Sequence, residues 1–273
     1  MTSQKRLRGR PKSFTDKSSE ARIQSLDRAL DVLGCIASAN GLSLSEIAAE
    51  LGQSPATVYR ILTTYAARDM LEMDPITQEW FIGAASFRAG SAFLKRTGMV
   101  ERARPHMRAL MLETGETANL GIENGGQVLF LSQVETHENI RAFFPPGAQS
   151  PMHTSGIGKA LLAHGDDQRI TDYVDAQDLT RFTKNTVCER DDLRAELTRI
   201  KAQGFAFDNE EKSTGMRCVA APIFNSYGEA IAGISISGPS ARLTLERIAP
   251  VSDIVIEQAH ALSHSLGYER NPP

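Results

Sequence analysis

Between Leu42 and Leu71 the chain reads LSLSEIAAELGQSPATVYRILTTYAARDML, and this segment restricts the possible folds more than any other. Ser43 and Glu46 are spaced as a capping box, in which each side chain satisfies the other residue's free backbone amide. Leu44, Ile47, Ala48 and Leu51 then fall on one helical face, and Gly52 stands where a helix end favours a residue tolerant of positive φ. Ser54 is a good N-cap, with Pro55 at the first helical position, where its missing N–H removes no helix bond. The second helix buries Val58, Ile61, Leu62 and Tyr65. Its other side shows Ala56, Thr57, Arg60, Thr63, Thr64 and Ala67. Two short amphipathic helices joined by a tight turn form a helix-turn-helix. A face of small residues, hydroxyls and one arginine can approach a DNA groove without a steric or acidic barrier. The residues expected to touch DNA are Ser43, Gln53, Ser54, Ala56, Thr57, Tyr59, Arg60 and Thr64.

The chain's net charge of −3 would by itself argue against nucleic acid. The charge is uneven, however. Residues 1–70 carry 10 Lys+Arg against 7 Asp+Glu, and the remainder 20 against 26. A basic head on an acidic body places the nucleic-acid contact at the N-terminus. Within residues 1–21, expected to form a disordered arm, Arg8-Gly9-Arg10-Pro11-Lys12 resembles a hook that inserts Arg8 and Arg10 into a narrow minor groove.

Length, at 273 residues, allows about two domains, and 41% apolar with 23% charged residues fits a soluble globular chain. No apolar run approaches a membrane span, and the polar N-terminus lacks a signal peptide's apolar segment. Cys35, Cys188 and Cys218 share no close spacing, which excludes a disulfide framework and a zinc ribbon and points to a reducing cytoplasm. No pattern calls for a cofactor or metal. His106, His137, His153, His164, His260 and His264 lack ligand spacing and read as surface residues.

Periodicity places a first helix over 23–38, with Ile23, Leu26, Leu30, Leu33 and Ala37 on its core side. Two short apolar segments flank Asp74-Pro75-Ile76-Thr77, a hairpin in the position of a wing that Trp80 and Phe81 close. Residues 22–83 are thus a winged helix-turn-helix. Residues 84–98 are a linker helix anchored by Phe87, Phe93 and Leu94, and 99–273 form a second domain. In that domain the pattern predicts helices near 100–113, 157–164 and 191–203 and a long C-terminal helix. Strands are predicted at 118–123, 127–135, 140–144, 204–208, 217–224 and 230–237. The fold class is α+β.

A helix beginning QSLDRALDVL, then SPATVYRIL, then a wing ending in an aromatic before a glycine, resembles the IclR family of bacterial transcription regulators. PMHTSGIGKALLA, GFAFDNEEKSTGMRCVAAPI and AIAGISISGP are similar to that family's effector domain, and the resemblance spans roughly residues 22–267. It implies a winged-helix domain reading a pseudo-palindromic operator, a dimerising linker helix, and a GAF-like α/β domain that binds a small organic acid. It also implies a homodimer or a dimer of dimers. Three features depart from the family pattern. Trp80-Phe81 replaces a tyrosine-led pair, Ile157 stands where a smaller residue is common, and the basic arm is not general.

Ser155-Gly156-Ile157-Gly158 opens a helix whose free amides favour an anion. The spacing is not that of a Walker A loop, and a simple strand-to-helix turn would read the same way. Ser235 and Ser237 project from one sheet face. By the resemblance, Asp208, Cys218, Ser235 and Ser237 join Ser155, Gly156 and Ile157 around the effector. Met216, Phe143 and Ile157 then form an apolar wall that limits effector size. A short 2-oxo acid such as glyoxylate suits a pocket of this kind. An aromatic carboxylate remains an alternative. So does a GAF-domain enzyme using Cys218, although nothing near that cysteine in sequence supplies a base.

Overall fold

The computed structural model describes residues 23–176 and 178–269, with residues 93–97 and 176 described along the backbone only. The arm with Arg8 and Arg10, and the anchoring side chains of Phe93 and Leu94, lie outside the described residues. Two compact units divide between Phe93 and Leu94.

The first unit is built from α1 (Gln24–Ala37), β1 (Leu42–Ser43), α2 (Leu44–Glu50), α3 (Pro55–Ala66), β2 (Leu71–Met73) and β3 (Glu79–Ile82), followed by α4 (Ala84–Thr97). Strands β2 and β3 pair as the wing, and β1 adds a third, unpredicted strand through Leu42 opposite Trp80. Val32, Ile36, Ile47, Val58, Leu62, Leu71 and Trp80 form the core. Helix α1 corrects the expected orientation. Its core residues are Val32 and Ile36, whereas Ile23, Leu26 and Leu30 are more than half exposed. A helix with two apolar stripes satisfies the 3–4 periodicity on either side, and only the tertiary contacts choose between them.

The second unit contains α5 (Met99–Thr114), β4 (Thr117–Asn124), β5 (Gln127–Val134), β6 (Gln149–Pro151) and a 3-10 turn at Met152–Thr154. These are followed by α6 (Gly156–Ala163), α7 (Asp167–Ala176), α8 (Arg190–Gln203), β7 (Ala206–Asn209), β8 (Met216–Phe224), β9 (Ala230–Pro239) and α9 (Leu245–Ser265). The six strands form one antiparallel sheet in the order β6-β5-β4-β9-β8-β7. Alternation along each strand divides its side chains between two layers. Ala118, Leu120, Ile234 and Ile236 face α5 and α9 in one apolar core, while Val128, Phe130, Ala206 and Ala220 pack with α6, α7 and α8 in the other.

The strand expected at 140–144 is irregular backbone instead. Pro145 and Pro146 bring no amide to a ladder, and residues 149–151 supply the partner of β5. Helix α7 has no counterpart among the expected elements.

Candidate functional site

Two surfaces concentrate the residues singled out by the sequence. On α3, Ser54 accepts from the Thr57 amide at 3.3 Å, so the helix begins where the cap predicts. Val58 and Leu62 face the core, and Ala56, Tyr59, Arg60, Thr63, Thr64 and Ala67 are exposed, with Thr57 half-buried. Two hydroxyls are less available than their exposure suggests. Thr64 Oγ1 donates to the Arg60 carbonyl at 2.6 Å, and Thr63 Oγ1 donates to the carbonyls of Tyr59 and Arg60. Each offers an incoming ligand lone pairs rather than a proton. Ser43 is engaged in the predicted capping box, donating to Glu46 Oε2 at 2.6 Å while its amide donates to the same oxygen at 2.8 Å. Gln53 is half-buried at the helix-turn-helix corner. At the wing tip, Asp74 Oδ1 accepts from the amides of Ile76 and Thr77 and holds Ile76 90% exposed.

In the second unit, strand pairing aligns two rows of polar side chains on the sheet face that meets α6. One row runs Gln133, Asn119, Ser235, Ala220 across β5, β4, β9 and β8; the other runs Thr117, Ser237, Cys218, Asp208 across β4, β9, β8 and β7. The N-terminus of α6 lies directly on them. A Cβ placed on Gly156 would be 2.8 Å from Cys218 Sγ and 3.2 Å from Ala220 Cβ, so glycine is required for that approach. A small cavity of about 30 Å³ remains between helix and sheet. Ser150, Thr154, Ser155 and Gly156 line it from the helix side, Asp208, Cys218, Ser235 and Ser237 from the sheet, and Phe130, Phe144 and Lys212 around the edge.

Ser155, Gly156, Asp208, Cys218, Ser235 and Ser237 therefore converge as the sequence anticipates. Three expectations are corrected. Ile157 points its side chain into the core, over the paired glycines Gly121 and Gly233. A Cβ on Gly233 would lie 2.7 Å from Ile157 Cγ2, so the larger residue at 157 fills space those glycines vacate. Met216 lies two residues along β8 from Cys218, beyond the cavity lining. Phe143 is 63% exposed, and the wall is built by its neighbour Phe144, stacked on Phe130 at 4.7 Å. The Ser155 amide is also committed, donating to the Met152 carbonyl at 3.3 Å, while its hydroxyl accepts from the Gly158 amide. The amides of Gly156 and Ile157 remain at the open end of the helix.

Burial, and then the neighbouring Asp208 carboxyl, push the Cys218 thiol up to about 11. The thiol form dominates at neutral pH, and an unionised thiol is a poor nucleophile. Among the described residues no three His, Cys, Asp or Glu side chains are grouped to hold a metal ion, and no helix is long and apolar enough to cross a membrane.

Residues 25–75 match the IclR helix-turn-helix domain, and residues 91–264 match the description "Bacterial transcriptional regulator IclR C-terminal". The chain is 52% identical over 269 residues to the HTH-type transcriptional regulator BhcR of Paracoccus denitrificans, covering 97% of this chain and 96% of that protein. It belongs to the IclR family of bacterial transcriptional regulators. The HTH-type transcriptional repressor AllR of Klebsiella pneumoniae is 34% identical over 263 residues, covering 96% of each chain. The crystal structure of Thermotoga maritima IclR superposes with a TM-score of 0.76 at 29% identity, covering 90% of this chain and all of that one. This family member is accordingly a DNA-binding regulator, and its named relatives are regulators rather than enzymes.

Sequence reasoning missed a second layer behind the pocket of this IclR-family chain. Lys159 is fully buried within α6. Its Nζ donates to Glu211 Oε1 at 2.6 Å, the Phe207 carbonyl at 2.8 Å and Glu196 Oε1 at 3.4 Å. Burial opposes its charge, but Glu211 and Glu196 outweigh that and hold the ammonium above its ordinary value. The partners lie 37 and 52 residues along the chain, out of reach of any local motif. His153, expected at the surface, is also buried. Its imidazole contacts the Tyr173 hydroxyl and the Thr180 carbonyl, and burial lowers its pKa.

Proposed function

We propose that this regulator binds a short 2-oxo acid, glyoxylate being the simplest candidate, in the cavity between α6 and the sheet, and that occupancy changes its operator affinity. The supporting observation is the cavity itself. It is small, about 30 Å³, and is lined by the start of α6 on one side and by the hydroxyls of Ser235 and Ser237 on the other, which suits a ligand of few heavy atoms with oxygens at both ends. The ligand carboxylate meets the amides of Gly156 and Ile157 and the positive end of α6. Its oxo end meets the hydroxyls of Ser235 and Ser237, with Asp208 and Cys218 completing the wall. Lys212 adds positive potential at the edge.

On the DNA side, α3 lies in the major groove. Arg60 is its principal base contact, and Gln53, Ser54, Ala56, Thr57 and Tyr59 line the rest of the interface. Arg8 and Arg10 of the arm add minor-groove and phosphate contacts. The protein acts as a homodimer or a dimer of dimers. The exposed apolar stripe of Ile23, Leu26 and Leu30 on α1, with Phe87 of α4 at 75% exposure, supports pairing through the first unit.

Operator fragments selected from a random DNA pool supply the test. Mobility shift is measured with glyoxylate, pyruvate and benzoate, with each compound also assayed for turnover. Glyoxylate or pyruvate should shift the DNA affinity while being recovered unchanged. A response to benzoate alone would replace this reading with an aromatic-acid sensor, and turnover would replace it with an enzyme.

A further inference from the structure

Behind the two serines, and outside the cavity lining, lies a completely buried asparagine that no motif singles out. Asn119 Nδ2 donates to Ser237 Oγ at 3.2 Å and to Ser235 Oγ at 3.4 Å, and its Oδ1 accepts from Gln133 Nε2 at 2.9 Å. An asparagine amide has two donor hydrogens, and a serine hydroxyl has one proton and two lone pairs. With Asn119 donating, each serine accepts from behind and keeps its own proton for the opposite side. That side holds the cavity that both serines line, and Cys218, in register with Ser237. Gln133 completes the chain of bonds. By donating to Oδ1 it holds the asparagine amide with its nitrogen toward the serines.

We infer that Asn119, oriented by Gln133, is a positioning residue that occupies one lone pair of each of Ser235 and Ser237 and leaves both hydroxyl protons for the effector, so that the pocket favours ligands presenting acceptor oxygens. This deepens the proposed effector reading and rests on it for the identity of the ligand. A thiol sulfur is a weak acceptor, so a ligand carboxylate or oxo group displaces it as the target of both hydroxyl protons. An ammonium at the corresponding position has no lone pair for those protons and binds less well.

The decisive variant is Asn119→Asp, equal in shape but accepting where asparagine donates. It turns both hydroxyls away from the pocket. Loss of two modest hydrogen bonds predicts glyoxylate affinity weaker by roughly ten- to a hundredfold by calorimetry. Gln133→Glu, at a half-buried position, serves as a second variant in case a buried carboxylate at 119 unfolds the domain. A carboxylate at position 133 can only accept from Asn119, so the amide flips and the same loss follows. A merely structural role is separated by a readout taken without any effector. In wild-type protein, nuclear Overhauser contacts should run from the Asn119 side-chain amide protons to the β-protons of Ser235 and Ser237. In a folded Gln133→Glu protein those contacts should be lost, because the amide nitrogen turns toward the carboxylate at 133. Unchanged amide contacts in Gln133→Glu, or wild-type glyoxylate affinity in a folded Asn119→Asp or Gln133→Glu protein, overturns the inference. Should wild-type protein bind no 2-oxo acid, the effector reading fails, and the amide contacts still decide the hydrogen-bond relay.

Discussion

Burial, then the charge of Glu211, push the Asp208 carboxyl up to about 7, while the Glu211 amide and the Lys159 ammonium pull in the opposite direction. The groups in play are Lys159 of α6, Glu210 and Glu211 of the following turn, Lys212 at the cavity edge and Cys218 of β8, whose thiol stays neutral. An acid whose folded pKa exceeds its unfolded value binds more protons when native. Its stabilising contribution is complete below about pH 4 and is lost as pH rises through about 7. The stability of wild type relative to Asp208→Asn, from chemical denaturation across pH, should therefore fall between those limits and then level off. Glyoxylate affinity follows the same sign, because an ionised Asp208 beside an anionic ligand is repulsive. Binding should weaken above about pH 7 in wild type, and that titration should vanish in Asp208→Asn. A stability difference that rises with pH would mean the native carboxyl is ionised well below neutrality, contrary to its placement.

At the scale of the element, the contact between α6 and the sheet is set by Ile157 on the Gly121–Gly233 pair. Gly233→Ala should overpack this seam and destabilise by about 1–3 kcal/mol. The penalty should shrink in an Ile157→Ala background, which removes the clashing Cγ2 and its neighbour Cγ1; thermal unfolding of the four proteins reads the coupling. For α3, a bidentate base contact discriminates by about 1–3 kcal/mol. Arg60→Ala should lose that much specific operator affinity with its melting temperature unchanged, and an unaltered operator affinity would take Arg60 out of the interface. The helices α2 and α3 were legible because their caps, Ser43–Glu46 and Ser54–Pro55, are local chemistry written within a few residues. Less legible features depend on partners far along the chain. Two apolar stripes on α1 left its buried face open, Phe144 replaces Phe143 because only Phe144 meets Phe130, and Lys159 reads as an ordinary surface cation until Glu196 and Glu211 surround it. Asp208, Cys218, Ser235 and Ser237 were readable as a group through family resemblance. Asn119 was not, since an asparagine in a strand carries no signal until register brings it beside both serines.

Across the whole molecule, the charge that draws a protein to DNA is not carried by the helix-turn-helix. Residues 1–20 contain six Lys+Arg and two Asp+Glu, whereas residues 21–70 contain four and five. The wing tip, Asp74-Pro75-Ile76-Thr77, adds no cation either. On the proposed reading, α3 supplies shape and a single arginine, and attraction to the phosphate backbone falls to the arm. Each phosphate neutralised by a cation contributes about 0.9 to the slope of log affinity against log salt. Deleting residues 1–20 should flatten that slope by several units and weaken operator and random DNA alike at low salt. It should also leave the preference for operator over random DNA largely in place at equal salt, because the proposed base contacts belong to α3. Arginine inserted into a narrow A·T-rich minor groove would add a signature that simple attraction lacks. In that case truncation erodes affinity most for operators flanked by A·T tracts, and replacing the flanks with G·C pairs in the full-length complex reproduces the loss. An identical salt slope in the truncated protein would show that the arm makes no contact with the phosphates, and the attraction would then have to be sought among the few cations of α3 and its neighbours.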